Sequence, residues 1–159
     1  MEKAFTKIDI EDAEKVGLTL LKKGKNRSCR VYKFKDCGHV QQIYVETVRS
    51  LKVKCKQCNL DERKQNAKSL GLEYLGDGAN HSLKSYRFMS CGHIQDIDYG
   101  SVKKQFKPTC FTCLNKKRNQ QAADVGLELI GKGRNRNFGL YKCKKCNAEQ
   151  QITFTNITK

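Results

Sequence analysis

Apolar residues in this chain recur in short runs, separated by glycine, asparagine and charged residues. The runs Val16-Gly17-Leu18, Leu70-Gly71-Leu72 and Val125-Gly126-Leu127 each follow a polar segment and lead into a short apolar stretch. Glycine readily adopts the left-handed conformation that ends many helices. The pattern therefore predicts three helices, each ending at one of these glycines and each followed by a strand.

The elements of one repeat can be placed from these signals. The first helix is predicted over 10–16, with Asp9 as its N-cap. First strands are predicted over 18–21, 72–75 and 127–130, each before a glycine-rich turn. In the first repeat two further strands, over 31–34 and 40–45, flank a Cys-Gly-His turn, and a loop leads on to the next helix. The expected fold is α+β, with one helix and a short three-stranded antiparallel sheet per repeat.

One register relates three copies of this unit, at steps of 54 and 55 residues. A single inserted residue before Cys110 accounts for the longer step. We predict repeats over 8–58, 59–113 and 114–159, arranged as a tandem array. The matching positions are Gly24, Gly78 and Gly133; Asn26, Asn80 and Asn135; Tyr32, Tyr86 and Tyr141; Cys37, Cys91 and Cys146; Gln41, Gln95 and Gln150; and Ile43, Ile97 and Ile152.

Cysteine and histidine spacing predicts a metal site in each of the first two repeats. A unit of this length buries little apolar surface and commonly needs a covalent or metal crosslink. Two close ligand pairs separated by a loop suit the tetrahedral coordination of Zn²⁺, and four protein ligands leave no open position for catalysis. The candidate ligands are Cys37, His39, Cys55 and Cys58 in the first repeat, and Cys91, His93, Cys110 and Cys113 in the second.

Three other interpretations of these residues stay open at this point. The histidines could be turn residues that only follow Cys-Gly, the cysteine pairs could be redox dithiols, and the same ligands could hold an iron–sulfur cluster. Zinc is favoured because each cysteine pair recurs with a matching Cys-x-His. We expect two structural Zn²⁺ ions.

The third repeat departs from this pattern. Its candidate metal ligands are Cys143 and Cys146, but Ala148 occupies the histidine position and no second cysteine pair follows. The repeat could be a degenerate terminal cap, which repeat arrays commonly have. It could also be truncated, or a second chain could supply ligands. A third zinc ion is expected only if ligands come from outside the chain.

The order Cys-x-His turn, loop, and Cys-x-x-Cys at the start of a helix resembles the treble-clef class of zinc fingers. The run Tyr86-Arg87-Phe88 through Cys91-Gly92-His93, Val102 and Cys110-Phe111-Thr112-Cys113 is similar to small zinc-finger repeats of phage and mobile-element proteins. Such repeats often lie beside homing-endonuclease-like or Vsr-like nuclease domains. The resemblance implies a nucleic-acid-binding accessory module, and no nuclease domain accompanies it here.

Charge points to a polyanionic partner. The 159 residues carry a formal net charge of +16, with 32 Lys and Arg against 16 Asp and Glu. Such an excess favours nucleic acid. There is neither an export signal nor an apolar run of the roughly 18 residues that a membrane span requires. We therefore expect a cytoplasmic, reducing location, no membrane partner and no small-molecule substrate.

Cations recur in the glycine-asparagine turns and in the loops before the cysteine pairs. If the repeats stack alike, these loops form a basic stripe along a phosphate backbone. For the three asparagines a turn role is favoured over base contact, because asparagine tolerates left-handed backbone; for the three tyrosines core packing is favoured over base stacking. The candidate nucleic-acid-binding residues are Lys25, Asn26, Arg27, Arg30, Arg49, Lys52, Asn80, Lys103, Lys104, Lys107, Arg134, Asn135 and Arg136.

The function expected is binding of nucleic acid, with DNA preferred over RNA. The alternative is a small phage-type inhibitor or adaptor that binds a host nucleoprotein machine or a nuclease. Catalysis is not expected. The neighbouring carboxylates Asp96 and Asp98 are the one candidate pair, and the first repeat has Gln42 and Tyr44 at their positions.

Overall fold

The computed structural model describes residues 7–157, and this part of the chain is α+β with three small antiparallel sheets. The first repeat contains helix α1 (Lys7–Lys15), strands β1 (Leu18–Lys23), β2 (Cys29–Phe34) and β3 (Val40–Tyr44), and helix α2 (Val45–Arg49). The second contains α3 (Lys56–Ser69), β4 (Leu72–Asp77), β5 (Leu83–Phe88), β6 (Ile94–Asp98) and α4 (Tyr99–Lys103). The third contains α5 (Phe111–Asp124), β7 (Leu127–Lys132), β8 (Phe138–Cys143) and β9 (Glu149–Thr153).

Strand register supports the alignment of the three copies. Each sheet is a meander in which the middle strand pairs with both neighbours. Leu18 pairs with Phe34, Leu72 with Phe88, and Leu127 with Cys143. Cys143 therefore occupies the place of the two phenylalanines.

Each sheet packs its helix through equivalent apolar positions. In the second repeat six apolar positions form the core, and the candidate ligand Cys110 is buried beside them; the six are Ala67, Leu72, Tyr86, Phe88, Ile97 and Val102. The first repeat buries the counterparts Ala13, Leu18, Tyr32, Phe34, Ile43 and Val48. The third has Ala122, Tyr141 and Ile157, with Leu127 and Ile152 packed against them. Burial of each large side chain contributes about 1.5–3 kcal/mol, so a core of six positions is small.

Burial confirms the packing role predicted for the three tyrosines. Tyr32, Tyr86 and Tyr141 are almost fully buried, so their main role is packing, not base stacking. Cys29 is also buried, at the position that Leu83 and Phe138 occupy in the other repeats.

The chain divides into two compact units, one up to Asn66 and one from Ala67. The division falls inside α3, whereas the predicted repeat boundaries lie at 58/59 and 113/114. Residues 158 and 159, the end of the predicted third repeat, lie outside the described residues. None of the helices over 7–157 is long and apolar enough to cross a bilayer.

Several predicted element boundaries need correction. Helix α1 begins earlier than predicted and places Asp9 in its first turn, so Asp9 is not the N-cap. The first strand of each repeat continues two residues beyond its predicted end. A bulge shifts the pairing register after Leu20, Tyr74 and Leu129. Helices α2 and α4 were expected to be loop, since five residues are too few for a helical period.

The helix-ending glycines give a direct test of the fold. Gly126 has a φ of 75° and nothing within 4 Å of an added Cβ, so Gly126→Ala adds backbone strain without a clash. We expect this substitution to lower the free energy of unfolding by about 1 kcal/mol, measured by urea denaturation of the metal-loaded chain. Gly131→Ala is the matched control, because Gly131 has equal space and an ordinary φ. An equal loss in both variants would contradict this assignment.

Candidate metal centres and basic loops

The Cys-Gly-His turns form a rigid half of each candidate metal centre. In the second repeat the Gly92 N–H donates to the Phe88 carbonyl at 2.7 Å, and the Phe88 N–H donates to the His93 carbonyl at 2.9 Å. Gly92 adopts a left-handed φ of 72°, which a Cβ would disfavour. The turn therefore presents Cys91 and His93 together beyond the ends of two paired strands.

The second cysteine pair lies at the start of a long helix. Cys110 is the N-cap of α5, and its Sγ accepts a hydrogen bond from the Cys113 N–H at 3.5 Å. In the first repeat the Cys55 Sγ accepts from the Cys58 N–H at the same distance, immediately before α3. Residues three apart lie on one face of a helix, so both sulfurs of a pair face the turn.

The four candidate ligands of each repeat converge. In each cluster the ligand atoms all lie within 4.8 Å of one another. The His39 Nδ1 lies 3.5 Å from the Cys55 Sγ and 3.4 Å from the Cys58 Sγ. The His93 Nδ1 lies at the same distances from the sulfurs of Cys110 and Cys113.

These separations fit a zinc ion. Bonds of about 2.3 Å to sulfur and 2.0 Å to nitrogen give a tetrahedral N···S edge of about 3.5 Å. The donors are three thiols and one imidazole, a set that zinc favours. Each cluster could therefore hold one metal ion through four protein ligands.

The protonation of the thiols shows why a cation suits these clusters. The Cys113 backbone N–H lowers the pKa of Cys110 to about 7. Hydrogen bonding with the thiols of Cys91 and Cys110 raises the pKa of Cys113 to about 11. Without a cation the group thus favours one thiolate and keeps its neighbour protonated, because adjacent anions repel. A divalent ion would replace these protons.

Two glutamines support the clusters in a way that the sequence did not reveal. The Gln95 Oε1 accepts from the Phe111 N–H at 3.0 Å, and the Gln41 Oε1 accepts from the Lys56 N–H at 2.9 Å. Each ties the third strand to the first residue of the ligand-bearing helix, where backbone N–H groups lack helical partners. The sequence signal for this role was that glutamine recurs at the same position of each repeat. The backbone groups that these glutamines bond lie 15 and 16 residues away, so spacing did not identify them.

The third repeat forms the turn but lacks the cluster. Asn147 takes the glycine position with a left-handed φ of 59°, and the Cys143 N–H donates to the Ala148 carbonyl at 2.9 Å. Asparagine is among the few residues with a side chain that tolerate this conformation. Cys143 and Cys146 gain no third ligand among residues 7–157.

Most candidate nucleic-acid-binding cations are exposed and lie in two kinds of loop. The turns between the first two strands of repeats one and three carry Lys25, Arg27, Arg134 and Arg136. The segments before the cysteine pairs carry Lys52, Lys103, Lys104 and Lys107, of which Lys103 ends α4.

Arg30 and Arg49 are engaged within the protein. Both approach the buried carboxylate of Asp9, at 3.8 and 3.7 Å. Arg49 also pairs with Asp12 and Glu46, at 3.4 Å each. These two arginines therefore hold α1 to the sheet and to α2, a role that their spacing in the sequence could not show.

The turn asparagines act through their side chains. The Oδ1 atoms of Asn26, Asn80 and Asn135 accept hydrogen bonds from the N–H two residues later, at 3.1, 3.0 and 2.9 Å. This is the Asx-turn arrangement. None of the three has a left-handed φ. The expected turn role is confirmed, but the expected backbone reason is wrong.

The carboxylate pair on β6 has structural partners. Asp96 accepts hydrogen bonds from the Ala79 N–H at 2.8 Å and from the Ser85 hydroxyl. The Ser85 hydroxyl and then the Ala79 N–H lower the pKa of Asp96. Asp98 caps α4 by accepting from the Ser101 N–H at 3.0 Å. Gln42 and Gln151 take the position of Asp96 in the other two repeats, and each accepts a hydrogen bond from a backbone N–H of the matching turn.

Comparison with protein-family models, curated proteins and solved structures gives no significant match for this chain. The two clusters and the exposed cations are the features that bear on its chemistry. The clusters offer closed, four-ligand metal coordination, and the loops offer positive charge.

We expect elemental analysis and native mass spectrometry to find two zinc ions per chain. Cys58→Ser should leave one ion and Cys58→Ser with Cys113→Ser none, because each removes one of four ligands. Cys143→Ser with Cys146→Ser is the matched control and should retain both ions. Loss of an ion from this control would contradict the assignment.

We expect Gln95→Ala to weaken zinc binding by about tenfold, because residues that orient metal ligands commonly contribute this much. A chelator competition titration in the Cys58→Ser background would isolate the second cluster. Gln150→Ala is the control, since this glutamine has the same register position in the repeat without a cluster. Equal affinity of the two variants would show that the Gln95–Phe111 hydrogen bond does not support the site.

Proposed function

We propose that this chain is a nucleic-acid-binding protein built from tandem structural zinc modules, with DNA preferred over RNA. The observation that carries the proposal is the position of its exposed cations. Lys104 and Lys107 lie between α4 and the second cysteine pair, and Lys52 lies before the first pair. A metal ion in each cluster would hold these loops in place, so the exposed positive charge lies on loops whose position zinc would fix.

We assign the first two repeats to treble-clef-like modules. A turn between two strands and the first turn of a helix supply the four ligands in each cluster, which is the arrangement that the resemblance implies. The similarity to zinc-finger repeats of phage and mobile-element proteins supports an accessory, nucleic-acid-binding role. In this proposal the third repeat is a related module without metal.

We assign zinc a structural and not a catalytic role. A catalytic zinc ion keeps one coordination position for water or substrate, whereas each cluster here brings four protein ligands together. The carboxylates of Asp96 and Asp98 are engaged in turn and cap hydrogen bonds. We therefore propose a binding protein and not an enzyme.

Phosphate is the ligand that best matches the charge. The segment 114–159 alone has ten Lys and Arg against three Asp and Glu. Neutralising phosphates releases condensed counterions, so such a surface gains affinity from any nucleic acid. All nine cysteines are free of disulfide bonds, which supports a reducing compartment such as the cytoplasm as the place of action.

We expect duplex DNA affinity to fall steeply with salt, with a log–log slope of about −0.9 for each phosphate contacted. Lys104→Gln with Lys107→Gln should weaken binding and reduce that slope by about one for each lost contact. Fluorescence anisotropy of a labelled duplex over a salt series measures both quantities.

Lys144→Gln with Lys145→Gln is the matched control. It removes the same charge from an exposed turn that we do not assign to the interface, so its effect on the slope should be smaller. Equal effects of the two double variants on the salt slope would contradict the loop interface and indicate a diffuse effect of total charge. Failure of the wild-type protein to bind at low salt, with a protein partner retained after nuclease treatment and high salt, would favour the inhibitor or adaptor alternative.

A further inference from the structure

An aromatic groove lies in the second compact unit, between α5 and the sheet of the third repeat. It has a volume of about 630 Å³ and is lined by residues that include Phe111, Arg118, Lys132, Arg136, Phe138 and Phe154. This volume is within the roughly 300–1,000 Å³ of typical ligand clefts. The residues that line it include three aromatic rings and three cations but no carboxylate.

Flat groups in and beside this groove are already stacked. The Arg118 guanidinium lies 3.4 Å from the centre of the Phe154 ring, and the Arg134 guanidinium lies 4.3 Å from the centre of the Phe138 ring. Phe111 is 61% exposed, although it is a large apolar side chain. Arginine planes and aromatic rings are the surfaces on which unpaired bases stack.

The matching groove of the first repeat has a different chemistry. Asp9 takes the position of Arg118, Val45 takes that of Phe154, and Glu46 adds a second carboxylate. Asp9 pairs there with Arg30 and Arg49. The first-repeat groove therefore has one aromatic ring, Tyr44, and two carboxylates among its arginines, whereas the third-repeat groove has three rings and no carboxylate.

We propose that this aromatic groove binds an unpaired base of single-stranded nucleic acid, an inference that rests on the proposed function. The exposed Phe111 ring accepts the face of the base, and Lys132 and Arg136 bind the adjoining phosphates. A duplex hides the faces of its bases in the stack, so the groove distinguishes single strands from duplexes. The third repeat thus contributes a contact that the metal-bearing repeats lack.

Two oligomers of equal length and charge separate base stacking from phosphate binding. The zinc-loaded full chain is titrated with oligothymidylate and with an oligomer of abasic deoxynucleotides. We expect oligothymidylate to bind about tenfold more tightly for each base that stacks. Oligouridylate and its abasic counterpart, run in parallel, extend the comparison to RNA. A preference for bases in either polymer supports the groove, and its absence from both overturns it.

Variants then test whether this groove causes the preference for oligomers that carry bases. Phe111→Ala should remove most of the difference between oligothymidylate and the abasic oligomer. Tyr44→Ala should retain it, because Tyr44 is a similarly exposed aromatic residue in the first-repeat groove, which has no second ring. Arg118→Lys keeps the charge but not the flat stacking surface, so it should reduce the preference for bases. Zinc content is measured for each variant, since Phe111 adjoins Cys110.

The outcomes separate this inference from the proposed function. Salt-dependent binding of duplex without any preference for bases would overturn the groove and leave the proposed function intact. Unchanged base preference in both Phe111→Ala and Arg118→Lys would also overturn it. Absence of binding to every oligomer at low salt would refute both proposals.

Discussion

The junction between a strand turn and the start of the next helix is the constraint on which each of the first two repeats depends. There the three sulfurs and one imidazole nitrogen of each cluster lie within 4.8 Å of one another. The apolar core beside the junction has six positions, and a core of that size barely offsets the chain entropy lost on folding. A metal ion held by four ligands from two separate segments would crosslink the sheet to the helix, which a small core cannot do alone. Gln41 and Gln95 add a neutral hydrogen bond across the same junction.

The third repeat shows how much of the unit forms without the cluster. Its sheet keeps the register and the bulge of the others, and Tyr141 and Ile157 fill the core positions of Tyr86 and Val102. Its turn between strands is also retained, with Asn147 in place of glycine. Local backbone chemistry and apolar pattern therefore suffice for the strands and turns. The aromatic stacks of Arg118 and Arg134 are additions found in this repeat, and they connect its packing to the groove proposed to hold a base.

Charge in this protein has two separate uses. Arg30 and Arg49 surround the buried Asp9 and act within the first repeat, where breaking a buried pair leaves an uncompensated charge. The exposed cations of the loops lie in high dielectric, where a single lysine or arginine contributes little to folding. The proposed polyanionic partner would account for their number. A net charge of +16 repels itself in the folded chain, and the proposed polyanion would relieve that repulsion.

The sequence by itself determined the three copies, the α+β pattern, the helix-ending glycines, the buried tyrosines and the eight residues of the two clusters. These features depend on spacing between neighbours or on repetition of one register, and both are visible along the chain. Only the tertiary structure decided the partners of Gln95 and Asp96, the pairing of Arg49 with Asp9, and the placement of Phe111 and Phe154 in one groove. Each of these pairs joins residues more than ten positions apart. Such pairs are selected by the packing of strands and helices in space, and residue type alone does not specify which of several possible partners a side chain will meet.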